Sequence, residues 1–207
     1  MKHLELEDYE RKARDLRRRL DIDEQVQPDL ITVLFKLKHY GLIKNYERVP
    51  DFLLPEDEAY WDPDERIIKL RESAFCGANQ LNPSPRPRFT IAHELGHMSF
   101  KHTKLRHRNV SDRAINKIAP SIRADERQAN GFAAAFLAPA HLVGNPFLIS
   151  ATELSVRFNL SIQNAEIRIE ELERMYRREH KIVRPLPTSI IEFLRRGKND
   201  DPGSGQS

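Results

Sequence analysis

Apolar residues near the N-terminus recur every three or four positions among many charged ones, the spacing of an amphipathic helix. This apolar stripe consists of Leu6, Tyr9, Ala13, Leu16 and Leu20. Because the stripe is short, we expect the helix to pack on the body of the protein rather than to form a coiled coil. A second helix is predicted from Pro28, a favourable first helical residue, to Gly41. Its apolar face is formed by Leu30, Val33, Leu34 and Leu37.

The pattern then changes to short β-prone runs. Residues 58–62 and 67–71 flank a run of turn formers at 63–66, which predicts a β-hairpin. Residues 76–88 contain one glycine and three prolines and are predicted to form a loop.

Helical patterns return downstream. Helices are predicted at about 89–102 and 125–137, and two or three more between 146 and about 196. The stretch 197–207 has no hydrophobic residue and is predicted to be disordered.

The strongest chemical signal is the pentapeptide His93-Glu94-Leu95-Gly96-His97. Residues four apart share a face of an α-helix, so the two imidazoles can converge on one metal ion. Zinc accepts nitrogen ligands and prefers four ligands in total. Glu94 lies one residue round the helix, where it can act as a general base without binding the ion. We therefore predict a zinc site with His93 and His97 as ligands and Glu94 as the catalytic carboxylate.

A catalytic zinc site usually has a third protein ligand. The pattern with a third histidine fails because Thr103 stands at that position, and His102 is interpreted as a solvated residue near a helix end. Glu126 is the candidate third ligand, and Asn130, one turn later, can orient a ligand. The small residues that keep this helix slim are Ala129, Gly131 and Ala133. Alternatively, Glu126 is an acid favoured at a helix N-terminus, which fits Asp125 equally.

The amino-acid composition alone does not identify a function. Hydrophobic residues make up 39% and charged residues 31% of the 207 residues, and the net charge of +3 does not by itself identify a nucleic-acid binder. The single cysteine, Cys76, cannot form an internal disulfide. With no signal-peptide pattern and no uncharged stretch of membrane-spanning length, we expect a cytoplasmic protein.

Residues 101–123 form a basic segment, with seven Lys or Arg and one acid. The simpler interpretation is a solvated loop. The alternative is a docking surface for an acidic partner, whose affinity would then fall with added salt.

Two stretches in combination resemble the ImmA/IrrE family of metallopeptidases. The first is 88–97, RFTIAHELGH, and the second covers 126–139, with a looser match over 154–172. The residues that carry the second stretch are Glu126, Ala129, Asn130, Phe132, Ala133, Leu137 and Pro139. The resemblance implies an α+β fold, with a zincin-like minimal core of a small sheet and active-site helices.

We expect four segments along the chain. They are an N-terminal amphipathic helix (1–24), the metallopeptidase core (25–145), a C-terminal helix-turn-helix-like segment (146–196) and the tail (197–207).

The resemblance also implies a function. In the family, two histidines and a downstream glutamate bind Zn²⁺, which corresponds to His93, His97 and Glu126, and the catalytic glutamate corresponds to Glu94. Known members cleave helix-turn-helix transcriptional repressors, and others resemble components of toxin–antitoxin pairs. A zinc endopeptidase acting on a repressor or an antitoxin is therefore expected.

The sequence leaves two other functions open. One is a non-proteolytic regulator that binds a repressor, or DNA through 150–175. Five glutamates against three arginines between 153 and 174 disfavour DNA binding, because such a helix must sit among phosphates. The other is a toxin with unchanged chemistry. The sequence does not identify a second oxyanion donor, for which His141, Tyr60 and Arg168 are weak candidates.

Overall fold

The computed structural model describes residues 4–54, 58–79, 82–102 and 120–183, together with Ile190 and Glu192. The first helix, α1, spans Leu6–Arg19. Its predicted stripe faces the body of the protein, since Ala13, Leu16 and Leu20 are buried. The prediction that this helix packs on the protein is therefore confirmed.

The second helix, α2, spans Leu30–His39 and begins two residues later than predicted. Asp29 caps it, because its carboxylate accepts hydrogen bonds from the backbone N–H groups of Ile31 (3.1 Å) and Thr32 (3.0 Å). These donors have no acceptor within the helix, so the side chain satisfies them. Gly41, at the predicted end, has a φ of +66°, a left-handed conformation that favours glycine.

A three-stranded sheet follows, with the spatial order β1-β3-β2. Its strands are β1 (Asn45–Val49), β2 (Ala59–Asp62) and β3 (Ile67–Arg71). β3 is parallel to β1 and antiparallel to β2, so the predicted hairpin is confirmed and β2 forms an edge. β1 was not predicted, because its sequence, NYERV, shows no clear apolar alternation.

The loop predicted for 76–88 is wrong at both of its ends, where the chain is helical. Helix α3 spans Glu72–Ala78, and helix α4 spans Pro85–Phe100, so only a short connection separates them. Two of the three prolines lie in the first turn of α4, where a backbone nitrogen has no intrahelical acceptor and proline is tolerated. α4 carries the metal motif and packs against β2.

Helix α5 spans Pro120–Leu137, which starts five residues before the predicted position, and packs closely on α4. A Cβ atom at Gly96 of α4 would lie 2.8 Å from the Cα of Ala129, so only glycine permits this approach. Gly131 does not face α4. A Cβ there would lie 2.5 Å from the ring of Tyr9, so Gly131 makes room for α1 instead.

Three further helices complete the described fold: α6 (Ala140–Val143), α7 (Ala151–Phe158) and α8 (Ile162–Glu179). α7 and α8 confirm the helices predicted after 146, and Asn159, with a φ of +52°, connects them. None of the helices in the described part of the chain has the length and apolar character needed to cross a membrane. The tail 197–207 and positions 103–119 of the basic segment lie outside the described residues, and the four-segment division stays a prediction.

Two buried arginines anchor the C-terminal end of α5. Arg17 of α1 donates to the carbonyl of Phe136 (2.7 Å), and Arg168 of α8 donates through Nε to the carbonyl of Ala138 (3.0 Å). Burial lowers the pKa of Arg17 to about 10, which still leaves it charged at neutral pH. A cation is favourable at a helix C-terminus, so both arginines hold α5 in place.

Candidate metal centre

The two histidines of the motif lie on the buried face of α4. Their Nε2 atoms are 3.0 Å apart, and each residue is less than one-tenth exposed. Glu126 reaches them from α5, with Oε2 3.3 Å from the Nε2 of His93 and Oε1 3.5 Å from the Nε2 of His97. The structure thus brings together the three residues that the sequence predicts as ligands.

The surroundings of Glu126 differ from those of its neighbour. α5 begins at Pro120, so Glu126 lies beyond the first turn, where the helix dipole favours acids. Asp125 lies near another ring, with Oδ1 3.7 Å from the Nε2 of His102. The two adjacent acids, which the sequence alone could not separate, therefore occupy different positions.

Hydrogen bonds define where the imidazole protons lie. The Nδ1 of His93 is 2.8 Å from the Oδ1 of Asn130, an acceptor, so this Nδ1 carries the proton. The Nε2 of His102 is 3.0 Å from the Oε1 of Gln128, and in the tautomer in which this Nε2 donates, the Nδ1 of His102 is an acceptor. The Nδ1 of His97, 2.9 Å from it, is then the donor. In these tautomers both motif histidines direct an unprotonated Nε2 towards each other.

This arrangement fits a zinc ion. Two nitrogen lone pairs and a carboxylate repel one another at such short range unless a cation lies among them. Tetrahedral bonds of about 2.0–2.1 Å place neighbouring ligand atoms about 3.3 Å apart. The three separations of 3.0, 3.3 and 3.5 Å bracket that value. Two imidazoles and one carboxylate are also the protein ligands of a known class of catalytic zinc site.

The interpretation of His102 as a solvated residue is wrong. Its side chain is only 9% exposed, and its ring contacts His97. Lys101 has a φ of +56°, which ends α4, and the backbone N–H of His102 then bonds the carbonyl of His97 at 3.0 Å. This turn brings the imidazole of His102 back against His97. His102 thus orients the ring of His97, as Asn130 orients the ring of His93.

Glu94 lies beside the cluster and is held by the sheet. It is 1% exposed, and its Oε2 accepts a hydrogen bond from the backbone N–H of Trp61 in β2 (2.8 Å). One of its oxygens lies within 4.8 Å of a ring nitrogen of His93 and of His97. The carboxylate is thus oriented by backbone and close to the ligand atoms.

Two of the weak oxyanion candidates have other contacts. The Nε2 of His141 lies 3.2 Å from the carbonyl oxygen and 3.4 Å from the Oδ1 of Asp23. Arg168 is buried against Ala138, as described above. Tyr60 is buried in β2 beside Trp61. None of these contacts identifies an oxyanion donor.

A family model described as the IrrE N-terminal-like domain, Peptidase M78, matches residues 63–170. The match covers just over half of the chain, from the turn between β2 and β3 into α8, and includes every residue of the cluster. A comparison with curated proteins gave no significant match.

Proposed function

Since the chain belongs to the family of IrrE N-terminal-like domains, Peptidase M78, we propose that it is a zinc-dependent endopeptidase that hydrolyses a peptide bond in a protein. Membership of this family supports the assignment of the chain as a hydrolase of the metallopeptidase type. The observation that carries the proposal is the convergence of His93, His97 and Glu126 beside the buried Glu94.

In this proposal His93, His97 and Glu126 hold the zinc ion, in keeping with the zinc dependence of the family. Bound zinc lowers the pKa of a water molecule to about 7 and polarises a carbonyl oxygen. Asn130 and His102 keep the two imidazoles in the tautomer that directs Nε2 inwards. Both rings are buried, so water does not compete strongly for the hydrogen bonds that orient them.

Glu94 is the general base. The N–H of Trp61 stabilises the ionised carboxylate and fixes its direction, so that it is ready to accept a proton from the attacking water. The same carboxylate then passes that proton to the nitrogen of the leaving amine. Side-chain length matters here, because Glu94 must reach the water while its oxygen stays bonded to β2.

The edge of β2 offers a place for the substrate. The carbonyl of Glu58 accepts from the N–H of Arg71 at 2.9 Å, and such bonded pairs recur at every second residue of an antiparallel ladder. The backbone groups of Ala59 and Trp61 therefore point away from β3. The N–H of Trp61 bonds Glu94, so the groups that face a substrate are those of Ala59 and the carbonyl of Trp61. We propose that an extended substrate adds to this edge as a further strand, which brings its peptide bond near Glu94.

The proposed substrate is a helix-turn-helix transcriptional repressor or an antitoxin, and cleavage would change gene expression. This part of the proposal rests on the resemblance to the ImmA/IrrE family. Binding of DNA by α8 is disfavoured, because Glu166 and Glu170 are exposed on that helix together with Ile167.

The test is cleavage of a proteome-derived peptide library by zinc-loaded protein, read by mass spectrometry. Glu94→Gln keeps the size of the side chain but removes the proton acceptor, and should lower the rate by about 10²–10⁴-fold. Zinc content and thermal stability should stay close to those of the wild type. Glu65→Gln, in the exposed hairpin turn, is the matched control and should cleave normally.

Proteolysis is rejected if Glu94→Gln, folded and loaded with zinc, cleaves as fast as the wild type. If gene induction in cells also survives this substitution, the protein is a non-proteolytic regulator.

A further inference from the structure

A groove of about 600 Å³ lies between α1, α4, α5 and α8. Its apolar lining includes Leu6, Phe89, Ala134, Leu160 and Ile167. Ile167 is 49% exposed although it is a large aliphatic residue. An apolar lining with a few polar groups is typical of a ligand-binding groove.

The groove adjoins the metal centre through Asn130. Asn130 lines it, and the Oδ1 of Asn130 accepts the hydrogen bond from the Nδ1 of His93. Phe89, which also lines the groove, lies one helical turn before His93 on α4. The groove therefore passes close to His93, although neither His93 nor the other proposed ligands line it.

The charges along the groove are not balanced. Arg178 pairs with Glu5 (3.3 Å), and Glu171 pairs with the buried Arg168 (3.3 Å). Arg127 and Arg174 also line the groove, and both are exposed. Neither forms an ion pair with another residue in the described part of the chain. Two guanidinium groups are thus available to a carboxylate.

We propose that this groove binds the protein substrate next to its cleavage site, and selects a segment that combines an apolar side chain with a nearby Asp or Glu. The inference rests on the proposed endopeptidase function and adds a substrate class to it. The apolar side chain packs on Phe89 and Ile167, and the carboxylate binds Arg127 and Arg174. The apolar lining favours a polypeptide over a nucleic-acid backbone.

The test uses the zinc-loaded full chain and a proteome-derived peptide library. Wild-type cleavage sites should be enriched in an apolar residue and in Asp or Glu at fixed positions on one side of the cut. The double variant Arg127→Glu, Arg174→Glu should reverse the charge preference to Lys or Arg. For the best acidic peptide, kcat/KM should fall by at least about tenfold, the value of one charge-assisted contact.

Arg19→Glu is the control, since Arg19 is exposed on α1 but does not line the groove. It should keep the wild-type preference, and all variants should hold the same amount of zinc. If the double variant cleaves with an unchanged preference, the groove does not select the substrate, although proteolysis stands. If the wild type cleaves no peptide, the proposed function fails and this inference with it. Inhibition by single-stranded nucleic acid without any acidic preference in peptides would overturn the choice of occupant.

Discussion

The two halves of α5 place polar atoms against different kinds of partner. In the N-terminal half, the oxygens of Glu126 face the unprotonated nitrogens of His93 and His97, so acceptors face acceptors. At the C-terminal end, the carbonyls of Phe136 and Ala138 face guanidinium donors. The carbonyl acceptors are satisfied by guanidinium donors within the chain. The acceptors of Glu126 and the histidines face one another, so they require a cation from outside the chain.

This difference separates a binding site from a scaffold. Buried polar groups are common to both, and burial alone would have grouped Arg17 and Arg168 with the histidines. The hydrogen-bond directions distinguish them. Substitutions at the C-terminal end of α5 should therefore change stability, and substitutions in its N-terminal half should change metal binding.

The largest effect on stability is expected from Arg168→Met. It removes the donor to Ala138 and leaves the largely buried carboxylates of Glu10 and Glu171 without their cation. Breaking such a pair costs about 3–5 kcal/mol of unfolding free energy, measurable by denaturant titration. Zinc bound per folded molecule should not change. Arg11→Met, at an exposed pair with Asp8, is the control and should cost about 1 kcal/mol or less.

A folded Arg168→Met protein that fails to bind zinc would show that the two ends of α5 are not independent.

A smaller effect, confined to metal binding, is expected from His102→Ala. The variant removes the acceptor that fixes the Nδ1 proton of His97, and loss of such a partner typically weakens metal binding about 10–100-fold. Competition with a chelator of known zinc affinity measures this. His39→Ala, an exposed histidine of α2, should bind zinc like the wild type. Wild-type affinity in His102→Ala would mean that the contact does not position the ligand.

The smallest effect concerns the pH dependence of stability and involves Glu171, the partner of Arg168. Burial raises the pKa of its carboxyl, although Arg168 opposes the shift. The folded state therefore holds this proton more tightly than the unfolded state, and stability from this group declines as pH rises from the unfolded pKa through the folded one. Glu171→Gln does not titrate, so its unfolding free energy relative to wild type should increase over that window. A relative stability that is constant or falls with pH would contradict the burial argument.

The features that could be predicted from the sequence are those that depend on periodicity and on local motifs. The stripe of α1, the hairpin and the convergence of His93 with His97 all follow from spacing along one element. The position of Glu126 depended on how two helices approach each other. The small residues of α5 suggested that the two helices approach closely. The contact that allows this approach, Gly96 against Ala129, is visible only in the structure.

Each feature that the sequence did not predict has its own physical cause. The region 76–88 was predicted as a loop because prolines were counted without regard to their place in a first helical turn. His102 was dismissed because it is out of register with a known motif, yet the left-handed Lys101 returns its ring to His97. Trp61 supports Glu94 through its backbone N–H, which no side-chain pattern can reveal.

The most direct test of the metal centre is the zinc content of purified protein, measured by mass spectrometry after dialysis against zinc and removal of the excess. The wild type should hold about one zinc per chain, and His93→Ala, His97→Ala and Glu126→Ala should each lose most of it. Asp125→Ala should retain it, because Asp125 lies near His102 rather than the two ligand nitrogens. Full zinc in Glu126→Ala with loss in Asp125→Ala would reassign the third ligand. Full zinc in both histidine variants would contradict the proposed site altogether.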